Sequence, residues 1–116
     1  MLEEVDIVQA WEHKYPEQVV LATCVDGDGT PNIIPLGWFM PTSIRPPMCA
    51  ISVAPARYSH DLIKNSGEFV IAFPTEGSEK DVLFCGTQTG ADTDKFAETN
   101  FIPSPAKQVA PPLIEN

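Results

Sequence analysis

Basic residues are scarce in this chain. Seven Lys and Arg stand against sixteen Asp and Glu in 116 residues, a formal net charge of -9. That balance argues against duplex DNA or RNA as a partner, because phosphate backbones are held by basic surface. Long apolar runs are missing too, and none reaches the roughly 18 residues that would span a bilayer. The start, Met1-Leu-Glu-Glu-Val-Asp6, is acidic and lacks the basic head and apolar stretch of a signal peptide. Together these features predict a cytoplasmic chain with no membrane partner. Cys24, Cys49 and Cys85 are the only cysteines. With no Cys-x-x-Cys and no Cys/His cluster at ligand spacing, no metal site is expected, and the thiols read as reduced. Gly-x-Gly-x-x-Gly, the Walker loop and Gly-x-Ser-x-Gly are all absent. Asp26-Gly-Asp-Gly29 lacks the further spaced acids of a calcium loop and reads as a hairpin turn.

One absence is local. From Thr30 to His60 there is neither aspartate nor glutamate, while Arg45 and Arg57 remain. The window ends in Ala56-Arg-Tyr-Ser-His60, just ahead of an apparent helix start. A locally positive segment leading into a helix N-terminus suits an anion, most simply a phosphate. The plainer explanation is that an apolar core window carries few charges of any kind.

What is present reads as one domain over residues 1–116. Residues 3–12 are a short helix or an irregular lead-in. Val19–Val25 is a strand, and the Asp26–Gly29 turn returns the chain through a second strand, Pro31 to Phe39, which Pro31 and Pro35 place at an edge, a bulge or a bend. A third strand, Met48 to Ala54, is apolar enough for burial on both faces or a central place in a sheet. Ser59 is an N-cap candidate for a helix ended by Gly67. Glu68–Phe73 is a fourth strand. Ser78-x-x-Asp81 resembles a capping box opening a helix to about Cys85, with Gly86 as its stop. Asp94–Thr99 is a further short helix, and the tail from Pro103 is extended or loop-like. Strands joined by short turns, without long crossover helices, predict a mainly β fold with small helices: an antiparallel, barrel-like sheet.

Several residues carry chemistry, each with a plainer alternative. At the strand-to-helix junction Arg57, Tyr58 and Ser59 can meet an anion through a guanidinium, a hydroxyl and free backbone N–H groups; alternatively Ser59 only caps and Arg57 is a surface charge. Ser52, Val53 and Ala54 are small enough to let a planar ring approach the backbone, or are simply β-core, as suits Val53 best. Lys95 can reach a phosphate or be a solvated helix charge. Cys85 is a site thiol or a small buried hydrophobe. Trp38 covers a ring or anchors a core or interface. His13 and His60 carry no catalytic signal.

The stretches Val20-Leu-Ala-Thr, Gly29-Thr-Pro-Asn-Ile-Ile-Pro-Leu-Gly-Trp38, Arg45-Pro-Pro, Ile51-Ser-Val-Ala-Pro-Ala-Arg-Tyr-Ser-His-Asp-Leu-Ile63, Gly67-Glu-Phe-Val70, Cys85-Gly and Gly90-Ala-Asp-Thr-Asp-Lys-Phe96, in this order and spacing, resemble the flavin reductase-like, FMN-binding split-barrel family, in particular its flavoredoxin branch. The resemblance implies a split barrel and non-covalent FMN, with its phosphate at Arg57–Ser59 and Lys95. It also implies that Asn32 and Trp38 lie along the flavin, near Ser52, Val53, Ala54 and Cys85. NAD(P)H as electron donor, a redox partner protein and a homodimer follow from the same resemblance. Where relatives often carry a hydroxyl residue, this chain has Gly37. Family chains normally continue past a segment like Pro112–Glu115, so an incomplete barrel is expected here. The alternative function is a non-catalytic FMN-binding or assembly module; a pyridoxamine-phosphate oxidase relative fits the motifs less well.

Overall fold

The computed structural model describes residues 1–115. At its centre β1 (Val20–Val25) pairs antiparallel with β2 (Pro31–Leu36), from Val20 opposite Leu36 to Val25 opposite Pro31. The turn between them is fixed by Asp26, whose carboxylate accepts from the N–H groups of Asp28 and Thr30, both at 2.9 Å. Gly29 supplies the positive φ of 82° that closes the hairpin. The far edge of β1 pairs antiparallel with β5 (Val70–Ala72), giving the order β2-β1-β5. Every residue of β1 is buried. One face packs Val20 and Ala22 with Ile34 and Leu36; the other packs Leu21 and Ile33 with Cys85 and Phe101. A strand buried on both sides explains the unbroken apolar run that marks it in the sequence.

The expected second strand is in fact two. It breaks at Gly37–Trp38 and resumes as β3 (Phe39–Ser43), which pairs antiparallel with β4 (Met48–Ile51) in a separate ribbon. Trp38 therefore lies between strands rather than in one. Its carbonyl accepts from the Ser52 N–H at 3.0 Å, bridging the break to the chain leaving β4. β4 stops at Ile51, so Ser52, Val53 and Ala54 lie beyond the strand they were expected to end. Nor is β4 central: Met48, Cys49 and Ala50 are exposed, with no cover among the described residues. Its apolar pattern signals a surface that favours burial, without saying against what.

Helix α1 (Ile7–Glu12) is capped by Asp6, with Gln9 completing a capping box, and buries none of its residues. Helix α2 (Tyr58–Ser66) ends at Gly67, φ 71°, as the sequence indicates. Its N-cap is Arg57, not Ser59, and the cap has no side-chain hydrogen bond. Ser59 falls at the second helical position and turns inward. Helix α3 (Glu79–Thr87) runs through Gly86. The Ser78 hydroxyl donates back to the Thr75 carbonyl at 2.7 Å instead of capping. Asp81 is also occupied elsewhere, accepting from the backbone and side-chain nitrogens of Asn100 at 3.1 and 3.0 Å. Helix α4 (Lys95–Glu98) is capped by Asp94. The tail is not simply extended: β6 (Ile102–Ser104) pairs antiparallel with β7 (Leu113–Glu115). It is pinned to the core where the buried Thr23 hydroxyl donates to the Pro112 carbonyl at 2.7 Å. The antiparallel pairing is as expected, but the fold is mixed rather than mainly β, because the four described helices hold nearly as many residues as the short strands. Among the described residues the strands form three separate sheets rather than one continuous one. No described helix is long and apolar enough to cross a membrane.

Candidate functional site

A cavity of about 580 Å³ runs along β2, the Gly37–Trp38 break and the N-terminus of α2, and is closed by the C-terminal turn of α3 and the loop after it. This is the size range of a small-molecule site. β2 supplies Asn32, Ile34, Pro35 and Leu36, while the segment leaving β4 supplies Ser52, Ala54, Ala56 and Arg57. Tyr58 and Ser59 come from α2, and Lys95 from α4. Of the ten residues singled out in the sequence, nine line this one cavity. Val53 does not; it packs against the Val20–Leu36 cluster, as its plain β-core reading requires.

The polar end is built from buried groups. Asn32 and Ser59 are both buried, and the Asn32 amide donates to the Ser59 hydroxyl at 2.9 Å. Ser59 turns inward because the helix has already begun at Tyr58, which frees its hydroxyl from capping. Lys95 is only 4 % exposed. Its ammonium donates to the carbonyls of Ile33 at 2.8 Å and Cys85 at 2.7 Å. Those bonds use two of three donors, and no carboxylate lies within ion-pair distance among the described residues. Burial draws the Lys95 pKa below that of an ordinary lysine, partly countered by Cys85 and Cys24. Burial likewise pushes the Cys85 thiol up to about 11. It raises Cys24 as well, against the lowering effects of Ser59 and Lys95. Both thiols are therefore neutral wall and core groups rather than nucleophiles.

The described lining contains no carboxylate and two cations, Arg57 and Lys95. The acid-free window of the sequence is thus one wall of the cavity, and the first turn of α2 adds N–H groups without intrahelical partners.

The segment Gly86–Gly90 also lines the cavity and was not singled out as a site. Its signal lies in its glycines. A Cβ on Gly90 would stand 2.3 Å from Asn32 Oδ1, and one on Gly86 would stand 3.1 Å from Pro35. Only a residue without a side chain lets the loop close on Asn32, a long-range contact that one sequence does not reveal. Gly37 has a similar cause: a Cβ there would meet the Glu17 carboxylate at 2.1 Å.

A family model described as "Flavin reductase like domain" matches residues 12–116. The chain belongs to the flavin reductase-like family. This flavin reductase-like chain is 34% identical over 110 residues to an uncharacterized protein of Archaeoglobus fulgidus, covering 95% of itself and 61% of that relative. Its fold superposes on flavoredoxin of Desulfovibrio vulgaris (Miyazaki F) with a TM-score of 0.81 and 30% identity, covering 86% of this chain and 55% of that one. An FMN-binding protein from Thermus thermophilus, crystallised with 1-cyclohex-2-enone, matches with TM-score 0.81 and 21% identity over 99% of this chain and 62% of its own; this second likeness shows the fold alone. The chain spans less than two thirds of the length of each of these three relatives.

Proposed function

We propose that this chain is a single domain that binds FMN non-covalently in the 580 Å³ cavity. It would serve as an NAD(P)H-dependent flavin reductase or a flavin-mediated electron-transfer protein. One observation carries the reading. Lys95 is a buried ammonium with a donor to spare and no carboxylate partner among the described residues, in a chain of net charge -9. A buried charge without a counter-ion is costly, and an arriving phosphate would supply one. Arg57, the Ser59 hydroxyl and the α2 N-terminus share that end of the cavity. In the same cavity Trp38 offers a flat indole, and Ser52 and Ala54 leave room for a ring beside the backbone. Gly90 keeps the floor clear for the Asn32 amide, whose carbonyl oxygen can accept from a ring N–H. When bound, FMN would supply hydride or one-electron redox chemistry. The chain's own residues bind and orient it, and none need move a proton.

Membership of the flavin reductase-like family and the likeness to flavoredoxin support this reading. The uncovered apolar side chains of the β3–β4 ribbon, Met40, Ile44 and Met48, support a homodimer. Free cysteines fit the reducing cytoplasm. The test is the visible spectrum of the purified protein, followed by FMN titration and NAD(P)H oxidation. A flavin spectrum, or uptake of added FMN, is the expected result. Turnover of NAD(P)H assigns a reductase, and binding without turnover an electron carrier or binding module. A colourless protein that takes up no FMN contradicts the reading.

A further inference from the structure

The α1 segment makes two separate contacts with one wall of the cavity. The Trp11 ring meets Trp38 edge to face, centroids 5.7 Å apart and planes at 80°. Five residues after α1 ends at Glu12, Glu17, itself paired with Lys14, fills the space beside Gly37 that a side chain would need. Gly37 and Trp38 are the break between β2 and β3, and both line the cavity. Trp38 is half exposed, so packing elsewhere does not fix its indole. Helix α1 has six residues, none of them buried. So short a helix is marginal alone, and it depends on what it docks against.

We infer that Trp11 is a positioning residue: it holds the Trp38 indole against the ring of the bound ligand, so that ring binding and the docking of α1 support each other. This rests on the FMN reading above and deepens it, assigning the ring end of the site to a helix outside the cavity lining. Coupling of this kind is reciprocal, so a ligand that prefers the pinned Trp38 must also tighten α1. An edge-to-face pair is worth roughly a two- to tenfold change in an equilibrium constant.

The experiment compares FMN with riboflavin, which carries the same ring without the phosphate, on the full chain. Trp11→Ala is expected to weaken both ligands by the same factor, about two- to tenfold, with Trp11→Phe restoring most of the loss. Hydrogen exchange of the α1 amides should slow when FMN is added to the wild type and not to Trp38→Ala. Thermal unfolding without ligand shows that each variant is folded, which the exposure of both indoles favours. Three results would overturn the inference: Trp11→Ala binding both ligands as the wild type does, a loss confined to FMN, or α1 exchange that ignores FMN. Wild-type protein that binds neither ligand would instead overturn the FMN reading, and this inference with it.

Discussion

A lysine held between two backbone carbonyls, with two thiols nearby and no carboxylate within ion-pair distance among the described residues, stands out at the residue scale. Its depressed pKa sets a pH window. FMN phosphate reaches its dianion above about pH 6, and the Lys95 ammonium is lost as pH rises through a value below the usual 10.5. FMN affinity should therefore hold between those limits and fall on the alkaline side earlier than an ordinary lysine would allow. In Lys95→Met, which keeps the stem without the charge, that alkaline limb should vanish from a titration series. Thiol chemistry gives a second check. Cys49 is exposed while Cys24 and Cys85 are buried, and Cys85, at about 11, is roughly one part in a thousand thiolate at pH 8. One thiol should react quickly with a disulfide reagent in the folded protein and three after unfolding; rapid reaction of all three in the folded state would contradict the burial described. Arg57 and Ser59 were legible because a charge and a hydroxyl at a strand-to-helix junction stand out in an acidic chain, whereas Lys95 was marked as a ligand only by the family resemblance. That Lys95 would be buried was not legible, because its ammonium bonds carbonyls outside its own helix, that of Ile33 62 residues away and that of Cys85 in α3.

Elements were legible where a local signal decides them. Asp26–Gly29 announces the first hairpin, and Gly67 announces the end of α2. They were misread where tertiary contacts decide. Pro31–Phe39 looks like one strand, because the Glu17 carboxylate that requires Gly37 comes from another segment. The capping groups of Ser78 and Asp81 are taken by Thr75 and Asn100. Two glycine substitutions separate the local from the tertiary. Gly67→Ala forces a Cβ into φ 71° with open space around it and should cost about 1 kcal/mol in denaturant unfolding while leaving FMN affinity nearly unchanged. Gly90→Ala meets the Asn32 amide and must displace it from Ser59, so FMN affinity should fall about tenfold or more. Gly27→Ala, with nothing within 4 Å, is the control.

On the scale of the whole molecule, the acid-free segment threads from β2 through the β3–β4 ribbon to the start of α2. It thus contributes both a cavity wall and an uncovered apolar face. The antiparallel class was legible from strand and turn spacing. The separation into three sheets was not, because pairing partners lie outside any local window. If the ribbon is a twofold interface, the protein should sediment at twice its 12.7 kDa chain mass, and Met40→Lys with Met48→Lys should halve it. The central claim is that a buried, unpaired ammonium anchors a phosphate. Its most direct test is the ratio of FMN to riboflavin affinity in wild type and in Lys95→Met, measured by calorimetry at pH 7.5. The wild type should favour FMN by at least about tenfold, as a charge-assisted anchor implies, and the variant should lose most of that preference while still binding riboflavin. An FMN preference that survives the substitution intact would contradict the account.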